Sequence, residues 1–335
     1  MLNIKLNYIL VIILFMSSVA ILYQIQLARL QEKLIKLEHL QAKYETAPNR
    51  KEASELLNEN NVVVLYNRVP KTASTSFVGV AYDLCKKNNF HVLHVNITAN
   101  SHTLSLTNQL KFALNVSNWD SMKPALFHGH FAYLDFSKFG ISNPLYINLI
   151  RKPLDRFISY YYFIRYGDNY RPYLIRRKHG NTMSFDECVT KQLPDCDPNN
   201  MWLQIPFFCG HSINCWKPGN KWALNEAKRN LINNYFLVGV TEELDDFISV
   251  LEQSLPRLFK GASDHYSNSN KSHLRQTVQK DTPSEETVKK IKGSMIWQME
   301  NELYEFALEH FHFIKKFGFK NKFQNIMYEK IRPKG

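Results

Sequence analysis

No G-x-x-x-x-G-K-[ST] occurs in the 335 residues. That absence sets aside the glycine loop with which nucleoside triphosphatases wrap a polyphosphate in backbone amides. No C-x-x-C pair occurs among the five cysteines either, so the commonest zinc-ligand spacing is missing. Acidic side chains are in deficit: 30 Asp and Glu stand against 42 Lys and Arg, a formal net charge of +12. Such a chain expects an acidic partner, whether nucleic acid, an anionic membrane or a polyanionic glycan. Composition alone does not choose among the three.

Charge is missing altogether from Leu6 to Ala28, a stretch of 23 residues. Roughly 20 apolar residues span a bilayer, and Ser18-Val19-Ala20 could be a cleavage site. The apolar run continues through Ile21-Leu22-Tyr23, which favours an uncleaved anchor. Residues 1–5 then form a cytoplasmic tail, 6–28 the transmembrane signal-anchor, and the remainder faces the secretory lumen. Leu27, Leu30, Leu34 and Leu37 keep heptad spacing, so residues 29–61 are expected to be a helical stem, possessing about two heptads of a weak coiled coil, and a polar linker. Residues 62–335 have room for one large α/β domain. Sequons at Asn96, Asn115 and Asn270 fit a lumenal domain. So do Cys188, Cys196, Cys209 and Cys215, which crowd one window while Cys85 stands apart. Their spacing suggests disulfides Cys188–Cys196 and Cys209–Cys215, with a zinc site as the rival.

Val62 to Leu65 is a β-branched run suited to a strand buried on both faces. A turn follows, from Arg68 through Pro70 and Lys71 to Thr72, Ala73, Ser74, Thr75 and Ser76, and then an apolar helix over Phe77–Cys85. Strand, Lys- and hydroxyl-rich turn, then helix is a recipe for holding phosphate, because the helix start aims backbone N–H groups at an anion. The plainer alternative is a strand–turn–helix corner with Ser/Thr caps and a surface Lys. A second strand-like run covers 91–98, a helix 105–115, and KPALFHGHFAY at 123–133 runs strand-like into a turn. There His128 and His130 flank Gly129; a metal pair is conceivable, but no third ligand stands at a telling spacing. LYINLI at 145–150 reads as a central strand, followed by Arg151 and, about two turns into the next helix, Ser159, as for a second phosphate. Residues 160–178 hold six Tyr and five basic residues, a composition able to stack on sugar rings or bases and to neutralise an acidic polymer. Further on come a buried strand ending at Val240, the amphipathic helix TEELDDFISVLEQSL, the basic loop 271–275, two helices within 284–316 and a basic tail.

PKTASTS, HGH, the IRKPLDRFISYYY run and YEKI, together with YNRVPKTASTSF, QIPFFCGHS and YFLVGVTEEL, closely resemble the heparan sulfate 2-O-sulfotransferases. The likeness runs from about Val62 to Lys330. It implies a P-loop-kinase-like sulfotransferase fold, with a central parallel sheet flanked by helices, and 3′-phosphoadenosine 5′-phosphosulfate (PAPS) as sulfate donor; no metal is expected, since the chemistry requires none and no convincing carboxylate pair stands near the loop. It implies that Arg68 to Ser76 hold the donor's 5′-phosphosulfate and that Arg151 and Ser159 hold its 3′-phosphate. His130 would be the catalytic base, with His128 assisting and Lys71 offsetting charge on the leaving phosphate. Arg68, Tyr82, Tyr160, Arg165, Arg171, Arg176, Arg275 and Lys330 would face the acceptor. Lys152 departs from the family's usual I-R-D-P by placing a cation where an acid is expected. The expected activity is transfer of sulfate to the 2-hydroxyl of hexuronic acid, mainly iduronic, by a single-pass type II Golgi membrane enzyme. Its partners would be heparan sulfate, the membrane and two further copies in a homotrimer, and not nucleic acid. Action on dermatan or chondroitin sulfate and non-catalytic glycan binding are the alternatives; the retention of Lys71, His130, Arg151 and Ser159 together argues against the second.

Overall fold

The computed structural model describes residues 23–26, 61–97, 101–269 and 277–318. Apart from a helical turn at 23–26, the described elements belong to the second of two compact units, Asn58–Gly335. The expected anchor (except for that turn), the leucine seam, Asn270, Arg275 and Lys330 lie outside the described residues. Among the described residues no helix is long and apolar enough to cross a membrane.

Five strands form one parallel sheet: β1 (Val63–Asn67), β2 (His91–His94), β3 (Ala125–Gly129), β4 (Leu145–Ile150) and β5 (Tyr235–Val240), in spatial order β2-β3-β1-β4-β5. The helices are α1 (Ser74–Cys85), α2 (Leu106–Asn118), α3 (Pro153–Tyr166), α4 (Phe185–Thr190), α5 (Gln204–Cys209), α6 (Lys221–Asn234), α7 (Leu244–Ser254), α8 (Pro256–Phe259), α9 (Ala262–Asn268), α10 (Glu285–Lys292) and α11 (Met295–Phe317). Successive side chains of a strand face opposite ways, and here both faces are dry. Val64, Tyr66, Leu126, Ile147 and Leu149 join a core with Phe77 of α1 and Phe247 of α7. Leu65, Phe127, Tyr146 and Ile150 join another with Phe157 of α3, Phe207 of α5 and Leu224 of α6. Hence β1, β3 and β4 read as largely apolar runs, broken only by Asn67, His128 and Asn148.

Since α1 and α3 go to opposite faces, the chain leaves the adjacent strands β1 and β4 in opposite directions. A crevice opens between them at the carboxyl edge, the usual place for a ligand in such sheets. Buried amides brace its floor: Asn148 Nδ2 donates to Asn67 Oδ1 (3.0 Å) and to the Asn67 carbonyl (2.8 Å), and the Tyr235 hydroxyl donates to the same Oδ1 (3.0 Å). Two departures from the sequence expectation are local. α1 begins at Ser74, three residues early, since the serines and threonine fill its first turn, and the edge strand β2 stops at His94. Cys188–Cys196 and Cys209–Cys215 are disulfide-bonded and Cys85 is free, which leaves none of the four clustered thiols for zinc. Asn96 and Asn115 are exposed.

Candidate functional site

The loop after β1 is bent by two residues with left-handed backbone, Lys71 (φ 69°) and Ala73 (φ 55°). For residues with a Cβ this costs about 1–2 kcal/mol each, offset by bonds within the turn. The Arg68 N–H donates to the Gly129 carbonyl (2.8 Å), and the Thr72 hydroxyl to the Val69 carbonyl (2.9 Å). Ala73 caps α1 without a side-chain hydrogen bond, and no acid stands in the first turn. A helix start without a built-in anion suits an anion from outside, favoured by the helix dipole and the nearby Lys71. The Lys71 ammonium lies 4.2 Å from the ring centre of Phe163 on α3.

The second cationic group is joined to this loop. Arg151 Nη1 donates to the Lys71 carbonyl (3.3 Å). Ser159 is buried two turns into α3. Lys280, exposed at the surface, feels the charges of Arg151 and Asp155; partial desolvation first and then Arg151 lower its pKa, and Asp155 opposes them. Cations thus gather where the loops after β1 and β4 meet.

His130, at the end of β3, is fixed in one tautomer by its neighbours. Its Nδ1 lies 2.8 Å from the Arg68 carbonyl, which can only accept, so Nδ1 carries the proton. Nε2 therefore holds the lone pair, and Arg68 Nη2 donates to it (3.2 Å). His128 is different. It is buried, shares a hydrogen bond with the Tyr82 hydroxyl through Nε2 (3.0 Å) and stacks on His94 (centroids 5.0 Å). Burial first, then the charges of Arg68 and neighbouring imidazoles, push its pKa down to about 3. Burial thus favours the neutral ring, and its hydrogen bond ties it to Tyr82. Gly129 between them is required sterically, because a Cβ there would meet the Val95 carbonyl at 2.5 Å.

On the outer side, Tyr82 and Arg171 are exposed and Tyr160 and Arg176 half-buried. Asp168, fully buried, accepts from the Arg171 N–H (2.9 Å) and from Arg176 Nη2 (3.3 Å). The Arg176 guanidinium lies 4.3 Å from the centre of the same Phe163 ring that carries Lys71.

Residues 54–307 match the sulfotransferase family. The chain belongs to the sulfotransferase family. The "Heparin sulfate O-sulfotransferase" of Drosophila melanogaster is 65% identical over 280 residues, covering 82% of this chain and 80% of its own length. "Heparan sulfate 2-O-sulfotransferase 1" is 52% identical in Gallus gallus and 51% in Homo sapiens over 334 residues, each covering 95% of this chain and 94% of the relative.

In this sulfotransferase one expected acceptor residue proves to be structural. Arg165 is 1% exposed, ion-paired to Asp195 (2.8 Å), bonded to the Tyr161 carbonyl (3.1 Å) and stacked 3.5 Å from the Tyr161 ring. Helical periodicity explains the correction: the Tyr- and Arg-rich stretch crosses from α3 into a loop, so Tyr161, Tyr162 and Arg165 turn inward while Tyr160 does not. Among the hydroxyls of the first loop, that of Thr72 already serves its own turn, which leaves its backbone N–H the better donor. Sequence reasoning missed Phe163, Asp168 and Lys280. Phe163 and Asp168 sit inside the stretch singled out, where nothing distinguishes them from neighbours, and Lys280 stands in a plain polar segment.

Proposed function

We propose that this sulfotransferase moves a sulfuryl group from PAPS to the 2-hydroxyl of a hexuronic acid, mainly iduronic, in heparan sulfate. The observation that carries the reading is the His130 tautomer. An imidazole with its lone pair on Nε2, beside an Arg and on the same sheet edge as Lys71, is arranged to accept an alcohol proton. The residues also suit the donor: an uncapped α1 start and Lys71 for the 5′ end, and Arg151, Ser159 and Lys280 for a 3′-phosphate. PAPS supplies an activated sulfate whose bridging oxygen leaves on a phosphate.

His130 takes the proton of the acceptor hydroxyl as that oxygen bonds to sulfur, and Lys71 offsets the negative charge on the departing bridging oxygen. Arg68, which holds Nε2 in the absence of acceptor, yields that place to the hydroxyl and stays close as a counter-charge for the uronate. Tyr82, Tyr160, Arg171 and Arg176 line the acceptor path, with Arg275 and Lys330 assigned there by resemblance alone. The proposed setting is a type II Golgi membrane protein with a lumenal catalytic domain, assembled as a homotrimer. The uncharged stretch 6–28 supports the membrane anchor, and the resemblance to the heparan sulfate 2-O-sulfotransferases supports the Golgi setting and the trimer.

Disaccharide analysis of heparan, dermatan and chondroitin sulfate, each incubated with the protein and radiolabelled PAPS, tests the reading. Label in 2-O-sulfated uronic acid is expected. Label only in dermatan or chondroitin sulfate would move the substrate, and binding of the product nucleotide without transfer would leave a lectin.

A further inference from the structure

Arg151 lies just beyond β4, where the paired ladder of Ile150 with Val240 ends. Its main chain nevertheless keeps two partners. The Arg151 N–H donates to Gln204 Oε1 (2.9 Å), and the Arg151 carbonyl accepts from Gln204 Nε2 (3.0 Å). A carboxamide presents one acceptor and one donor side by side, the same pair that a neighbouring strand offers to one residue of a ladder. Gln204 therefore extends the sheet by one residue where no strand is available. Its side chain is fully buried.

Gln204 is itself held from behind. Glu300 of α11, also fully buried, accepts from the N–H groups of Leu203 (2.9 Å), Gln204 (3.3 Å) and Ile205 (3.2 Å) at the start of α5. Arg156, buried in α3, faces Glu300 as its counter-charge and donates to the Met201 carbonyl (2.7 Å). Forward of Gln204, the chain of contacts passes through Arg151 to the Lys71 carbonyl (3.3 Å). An unbroken hydrogen-bonded path thus runs from the last described helix to the loop after β1.

We infer that Gln204 is a positioning residue for the donor site: it fixes the Arg151 main chain so that the guanidinium stands against the Lys71 loop. The inference rests on the proposed function, which assigns Arg151 to the donor's 3′-phosphate. It also accounts for the start of the QIPFFCGHS run, which the chemistry of transfer leaves unused.

The test compares wild type with Gln204→Met, which keeps length and bulk but offers neither hydrogen bond. Binding of 3′-phosphoadenosine 5′-phosphate and of heparan sulfate without nucleotide is measured by calorimetry, together with donor and acceptor KM, kcat and Tm. The expected result is at least a tenfold loss of nucleotide affinity and a matching rise in donor KM. Heparan sulfate affinity should stay within about twofold. Gln204→Glu, which keeps the acceptor for the Arg151 N–H, should fall between, and it serves if Gln204→Met does not fold. Unchanged nucleotide affinity overturns the inference. So do equal losses of both ligands, or failure of both variants to fold, since each makes Gln204 a residue of the fold alone. A wild-type chain that binds no nucleotide would instead remove the functional reading beneath it.

Discussion

Two histidines on either side of one glycine have opposite fates because their surroundings differ. His130 keeps an acceptor nitrogen in the crevice, whereas His128 is sealed between Tyr82 and His94 with its pKa near 3. His130→Ala should lose about 10²–10⁴ in turnover, the usual worth of a general base, and still bind product nucleotide and heparan sulfate; near-normal turnover by a folded variant would refute the assignment. His128→Gln should cost only a few-fold, since an imidazole that never titrates near neutrality serves by position. Lys71 poses a different question, because its ammonium already rests near the Phe163 ring. If it acts on charge present only in the transition state, Lys71→Ala should lower kcat about a hundredfold or more and weaken nucleotide binding far less. Equal losses would make it a binding residue.

Among elements, α3 and the loop after it divide the work. The helix turns Tyr161, Tyr162 and Arg165 into the core, and the loop hangs Arg171 and Arg176 on Asp168. Arg176→Ala is expected to weaken heparan sulfate binding and flatten its dependence on salt, because a polyanion releases counterions when a cation neutralises it. Isothermal titration across a salt series reads the slope, and an unchanged slope would place the groove elsewhere. Arg165→Met should leave that slope alone. Its effect belongs to stability: Asp195 is 21% exposed and keeps Lys178 at 3.4 Å, so the cost falls below the about 3–5 kcal/mol of a fully stranded buried partner.

At the scale of the whole molecule, buried and half-buried imidazoles set the acid limit. Burial lowers the pKa of His211 to about 4, and the Leu104 N–H donates to its Nδ1 (3.0 Å), which suits the neutral ring. His128 behaves alike. In the unfolded chain both titrate near 6.5, so below that pH the unfolded state takes up protons that the native state refuses. Stability is therefore fully present above about pH 6.5 and falls as the pH drops, by up to about 1.4 kcal/mol per pH unit for each histidine. Thermal melts between pH 7 and 5 should show the decline, and His211→Gln should flatten it; parallel curves would remove His211 from the account. The small loop closed by Cys188–Cys196 adds roughly 2–3 kcal/mol in the chain-entropy model, so the double Ala variant should melt correspondingly lower.

The sequence by itself determined the strand cores, the loop–helix phosphate recipe, the H-G-H turn and the cysteine pairing. Each is written in adjacent residues: β-branched runs, hydroxyls at a helix start, histidines flanking a glycine, cysteines at short spacing. What only the tertiary structure decided depends on residues far apart. Gln204 meets Arg151 across 53 positions and Glu300 meets Leu203 across 97, while Lys280 joins Arg151 from a segment with no pattern of its own. Arg165 and Arg176 are alike as letters, yet one lies in the core against Asp195 and the other is only partly buried, held by Asp168. A side chain's direction follows from the helix phase and from what packs against it, and the parallel sheet alone brings the loops after β1 and β4 to one edge.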